Sequence, residues 1–207
     1  MPGQQLKTTA FVLGRQPSSA DAFEQLATFD AEHGTLQCLR RVAGKSSASA
    51  TPLDLFDEAE LWLESSNQGR TWFIKEHRHV RRHPGLGRSY ETLRAAADLA
   101  TLITRNPVPD ESRPTIAALL RQSLAALDGG ARPDLVWLKA LYCFLRDEGF
   151  PVKQDWWPQL IPADREAAAQ LLNQPIAQQD PAPALVARVT RRLADWATAE
   201  TDLRLPS

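Results

Sequence analysis

Two hydrophobic periods divide this chain. From Lys7 to Val80 apolar and β-branched residues recur at every second position, the spacing that places alternate side chains on opposite faces of a strand. This half predicts five short strands. Phe11 and Leu13 oppose Ala10 and Val12 in the first, which Gly14, Pro17, Ser18 and Ser19 close with a loop. Phe23, Gln25, Ala27 and Phe29 share a face of the second, and His33-Gly34 predicts a tight turn with Gly34 at positive φ. Leu36, Cys38, Arg40 and Val42 then alternate with Thr35, Gln37, Leu39 and Arg41. A small, polar stretch from Gly44 to Pro52 follows. Leu55, Ala59, Leu61 and Leu63 mark the fourth strand, and Ser65 to Gly69 turn the chain into the fifth. Five strands of this kind suit a partly open OB-fold barrel better than a sandwich, which needs about seven.

Beyond the break at His83-Pro84-Gly85-Leu86-Gly87 the period becomes helical. Ser89 is placed to cap a first helix carrying Tyr90, Leu93, Ala97, Ala100 and Ile103, which Asn106-Pro107 ends. Ser112 is placed to cap a second, with Ile116, Leu119, Leu120, Leu124 and Leu127 on one face and Gly129-Gly130 at its end. A third, from Pro133 to Glu148, is apolar nearly all round and predicts the central buried helix. Two weaker helices are expected from Ala163 to Leu172 and from Ala184 to Thr201. The expected fold class is α+β: an N-terminal five-stranded OB-fold β-barrel over residues 1–83, then an all-α helical bundle over 84–207, packed against it.

Charge narrows the functional classes. The 24 Lys and Arg residues face 25 Asp and Glu, and the first 85 residues hold ten of each sign. No excess positive charge draws the chain onto nucleic acid, so any such binding must come from local arrangement. Cys38 and Cys143 are far apart and form no CxxC pair, which argues against a structural disulfide or a cysteine zinc site. The opening MPGQQLKTTA has no basic-then-apolar signal pattern, and no run approaches the ~18–20 apolar residues that span a bilayer. A cytoplasmic protein without a membrane partner is the expectation.

The candidate chemistry lies in Arg70–Arg82, RTWFIKEHRHVRR. Read as an unbroken strand, it puts Trp72, Ile74 and Val80 on one face and Phe73, Lys75, His77, His79 and Arg81 on the other. A ring followed by cations is what a surface needs to stack a base and track a phosphate backbone; a solvated basic face is the plainer reading. His77, His79 and His83 also have ligand-like spacing, but arginines crowd them, which disfavours a dication, and neither a metal nor a cofactor is expected. No GxxxxGK[ST], nucleophile elbow, HExxH or paired-carboxylate motif occurs, so no enzyme is expected.

In order and spacing these features resemble the bacterial recombination mediator family RecO. Four stretches carry the resemblance: Thr9–Leu13; LATFDAEHG from Leu26 to Gly34; Glu58–Leu63 with Trp72 and then Pro84-Gly85-Leu86; and ALYCFLRDEGF from Ala140 to Phe150. The resemblance implies a non-enzymatic, nucleoid-associated protein of DNA repair and homologous recombination. Such a protein binds single- and double-stranded DNA, anneals complementary strands and works with RecR to load RecA on strands coated by single-stranded DNA-binding protein (SSB). It also implies contact with the acidic, hydrophobic C-terminal tail of SSB, for which Arg121, Lys139, Arg146 and Lys153 supply candidate rim cations.

On this footing the candidate nucleic-acid contacts are Lys7, Arg40, Arg41, Lys45, Phe73, Lys75, His77, Arg78, His79, Arg81, Arg82 and Arg88. The sequence departs from the family in two places. Lys45 is the lone cation between the third and fourth strands, and FPVKQDWWPQLIP stands where many members carry zinc-binding cysteines. An alternative therefore stays open: an OB-fold scaffold that acts mainly through protein partners and binds DNA weakly.

Overall fold

The structure is a computed structural model that describes residues 4–17, 23–41, 51–65 and 67–206. The chain divides into two compact units, Met1–His83 and Pro84–Ser207.

In the first unit five strands, β1 (Gln4–Pro17), β2 (Phe23–Asp30), β3 (Gly34–Arg41), β4 (Glu58–Ser65) and β5 (Trp72–Arg81), hydrogen-bond in the order β1-β2-β3-β5-β4. Because β4 also pairs with β1, the sheet closes in a ring. The closure between β3 and β5 is short and parallel, through Cys38↔Trp72 and Leu39↔Phe73. Alternation decides the interior, where Ala10, Val12, Leu26, Cys38, Ala59, Leu61, Leu63 and Trp72 pack together. At the β2–β3 hairpin Gly34 takes φ 72°, as its sequence position predicts, while Asp30 Oδ1 accepts the amides of Glu32 and His33 at 2.7 and 2.6 Å.

Two expectations change here. The first strand does not stop at Gly14. It continues to Pro17, with Leu13 as the extra residue of a bulge between Val12 and Gly14. Gly14 is needed for close approach: a Cβ there would lie 3.3 Å from that of Ala27. The fourth strand starts at Glu58, and Leu55 is exposed ahead of it; Leu53, Phe56 and Asp57 are the buried residues of segment 51–57.

The second unit has six helices: α1 (Tyr90–Arg105), α2 (Arg113–Asp128), α3 (Pro133–Asp147), the short α4 (Trp157–Gln159), α5 (Pro162–Asn173) and α6 (Pro183–Glu200). Ser89 caps α1 as predicted, its hydroxyl accepting the Thr92 amide at 3.1 Å. Ser112 precedes α2 but makes no capping bond; its hydroxyl bonds the Glu148 carboxyl. Asn106 ends α1 and clamps the chain terminus, accepting the Arg204 amide at 2.8 Å. Helix α3 packs against α1, α2, α5 and α6 through Leu135, Leu138, Leu141, Phe144 and Leu145.

Between α3 and α4 a π-helical turn, Val152–Trp156, buries Trp156 against Tyr142. Pro175–Pro183 is a crossover held by side-chain hydrogen bonds. Gln179 Nε2 donates to Leu171 O and Gln174 O at 3.1 and 2.8 Å, and Arg132 bonds Asp180 and Pro181 O at 2.8 and 2.6 Å.

Candidate nucleic-acid interface and partner cleft

The register of β5 decides where its side chains point. Leu63 pairs with Ile74 but Trp62 with Glu76, so Lys75 is an extra residue; likewise Ala59 pairs with His79 and Glu58 with Arg81, so Val80 is extra. One extra residue reverses the face of everything after it. His77 and His79, opposite the buried Leu61 and Ala59, therefore stand on the interior side rather than beside Phe73 and Lys75. The single five-residue stripe expected from the sequence is thus broken at Lys75. Both His Nε2 atoms reach one acceptor, the carbonyl of Thr51, at 2.9 and 3.2 Å. Their rings meet edge to face at 5.4 Å.

Most of the expected cations have carboxylate partners. Glu60 takes Lys7 at 3.6 Å and Arg78 at 2.7 Å, and Glu64 takes Lys75 at 2.9 Å. Buried Glu24 holds both Arg40 and Arg15, and Arg40 also donates to Leu53 O at 2.9 Å. Asp57 lies 3.3 Å from His79 Nδ1, without hydrogen-bond geometry, and 3.5 Å from Arg82. Arg88 leans on the Asp128 carbonyl at 3.4 Å. Arg41 and Arg81 are exposed and make no ion pair among the described residues; Lys45 lies outside them. Phe73 meets Phe23 edge-on at 5.9 Å, so its ring is already engaged. Trp62 was not singled out by the sequence. It carries Lys7 over its ring at 4.8 Å, a cation–π contact that follows only from the β1–β4 register.

These pairings make the outer face of β1, β4 and β5 close to neutral. A phosphate backbone gains little from cations already committed to carboxylates, because each contact must first displace an internal anion. The geometry leaves at most a narrow cationic edge.

The helical unit holds a cleft of ≈ 520 Å³ lined by Lys139, Tyr142, Cys143, Arg146, Lys153, Trp157, Leu172 and Asn173. Four of these recur at i, i+3, i+4 and i+7 along α3, so one half-exposed face of the helix forms the wall. This corrects the expectation of a helix buried nearly all round. Lys139 Nζ donates to Leu172 O and Gln174 O at 2.9 and 2.6 Å, capping the carbonyl end of α5. Arg146 grips Asp147 with two bonds of 2.6 and 3.0 Å, and Lys153 is exposed without an ion pair among the described residues. Three cations against Asp147 leave the rim positive over an apolar floor. Trp156 sits beneath at 1% exposure, while Trp157, 5.8 Å away ring to ring, faces the cleft.

Burial pushes up both the Cys143 thiol and the Tyr142 hydroxyl, so neither is ionised near neutral pH. The Cys38 thiol, inside the ring, is pushed up to about 11 by burial. Both cysteines are free. Among the described residues no cluster of three or more His, Cys, Asp or Glu is placed to hold a metal, and no helix is long and apolar enough to cross a membrane. No family model matches the chain, and neither does any curated protein.

Proposed function

We propose that this chain is a RecO-like recombination mediator of the scaffold kind, an OB-type ring with modest DNA affinity joined to a helical unit that grips protein partners. The α3–α5 cleft takes the acidic, hydrophobic tail of SSB. The unpaired Lys153 meets the tail's carboxylates, next to an Arg146 already paired with Asp147, and Tyr142, Trp157 and Leu172 receive its apolar side chain. RecR is the second partner, and the protein acts without catalysing a reaction. What carries this reading is the cleft itself: Lys153 is exposed without an ion pair among the described residues beside the apolar wall of Tyr142, Trp157 and Leu172, whereas Lys7, Arg40, Lys75 and Arg78 are each paired with carboxylates on the ring.

The test is a titration of the helical cleft with a labelled peptide of the SSB tail. Lys153→Glu is expected to weaken binding about tenfold or more, the scale of a lost charge-assisted contact. Lys153 is exposed, so the variant keeps wild-type helicity. Equal binding by wild type and variant, or none by either, removes the cleft from the proposal.

A direct strand-annealing role is the second reading, favoured by the unpaired Arg41 and Arg81. Salt dependence separates the two. Two phosphate contacts on single-stranded DNA predict a slope of log affinity against log salt of about −1.4, and six or more a slope steeper than about −4. The scaffold reading expects the shallow slope.

A further inference from the structure

Segment 51–57 follows no strand, yet it lies across one end of the ring and consumes the donors gathered there. Leu53 is 1% exposed and packs with the interior apolar cluster. His77 and His79 donate to the carbonyl of Thr51, and Arg40 Nη1 donates to that of Leu53. The Asp57 carboxylate faces His79 and Arg82, and also accepts the Asp54 amide at 2.9 Å. The segment and the residue after it, TPLDLFDE, bring three acidic residues and no cation. Carbonyl oxygens and carboxylates are thus set against Arg40, His77, His79 and Arg82, which come from β3, β5 and the residue following it.

That is the complement a phosphodiester backbone would present. We propose that segment 51–57 is an internal stand-in for nucleic-acid phosphate, and that His77, His79 and Arg82, beside an Arg40 that Glu24 keeps paired, form a latent anion site which single-stranded DNA occupies once the segment is displaced. The idea rests on the mediator reading above and adds to it a reason for weak DNA binding in the resting protein.

The fastening fits such a role. Residues 51–54 are attached to the ring by side-chain donors and the Leu53 anchor alone, whereas backbone bonds to β1 begin at Phe56, whose amide donates to Val12 O at 2.7 Å, and continue with Val12 N to Asp57 O at 2.9 Å. Phe56 holds φ 69°, a left-handed conformation that costs a residue with a Cβ and is relieved when the segment lifts. Side-chain bonds, the two apolar anchors Leu53 and Phe56 and a single pair of backbone bonds open more readily than a full ladder.

The experiment compares binding of a fluorescent oligothymidylate at low salt. Leu53→Ala removes the anchor and is expected to bind about tenfold or more tightly than wild type; adding His77→Ala and His79→Ala should abolish the gain. On wild type, excess oligonucleotide should speed hydrogen exchange at the amides of residues 53–56. Thermal unfolding followed by circular dichroism and by the fluorescence of Trp62 and Trp72, which lie in the ring, checks that each variant is folded. A second variant, with 51–56 replaced by an equal-length Gly-Ser stretch, covers the case in which Leu53→Ala fails to fold. Folded variants that bind DNA no better than wild type overturn the inference, as does a gain that survives loss of both histidines. Tail-peptide binding reads the mediator proposal separately, because that cleft lies in the other unit.

Discussion

Replacing Trp156 by alanine is expected to destabilise the helical unit by about 3–5 kcal/mol, the usual cost of deleting a buried aromatic side chain from a close-packed interior. The indole is 1% exposed and meets Tyr142 at 6.5 Å and Trp157 at 5.8 Å between ring centroids. Those two rings belong to the cleft, so the floor beneath the proposed SSB-tail site collapses with it. A loss of this size removes much of the ~5–15 kcal/mol that holds a typical domain together. Trp156→Phe should cost far less. The indole N–H has no acceptor among the described residues, so its removal leaves no broken bond behind. Urea unfolding followed by helical circular dichroism reads both variants. An alanine variant within about 1 kcal/mol of wild type would show that the π-helical turn is not a structural staple.

Glu24→Gln is the second large effect. Glu24 is buried and bonds Arg40 and Arg15, and Arg40 itself is largely enclosed in the ring. Removing the carboxylate strands the guanidinium, and breaking one side of a buried pair costs about 3–5 kcal/mol. Arg40 keeps its bond to Leu53 O, so the lower part of that range is expected. The double change Glu24→Leu with Arg40→Met should recover most of the loss, because well-packed apolar residues commonly match a buried ion pair. A double-mutant cycle on the thermal midpoint checks the coupling. Additive single effects would mean that the two residues do not depend on each other.

The helical unit was the more legible half. Period 3.6 and Ser89 before the first helix placed five helices within a few residues of where they lie, because capping and amphipathicity are local properties. In the ring, inside-outside alternation was readable until a bulge intervened. Nothing local marks Lys75 and Val80 as extra residues. Their insertion depends on how β4 pairs, and that of Lys75 moved His77 and His79 to the other face. Charge pairing was hidden for the same reason: Lys7 and Arg78 converge on Glu60 only once three strands are in register. The cleft was half legible. Lys139, Tyr142, Cys143 and Arg146 sit at helical spacing, but their common wall with Leu172 and Trp157 needs α5 and the π-helical turn in place.

On the proposed reading this protein works through a positive cleft for an acidic peptide terminus rather than through a basic DNA-binding face. The most direct measurement is calorimetric titration of the full chain with the SSB-tail peptide, with and without its terminal residues, beside an oligonucleotide at the same low salt. Saturable one-to-one binding of the intact peptide, loss of that binding on truncation, and weaker binding of DNA are expected. Tight, steeply salt-dependent DNA binding with no response to the peptide would contradict it.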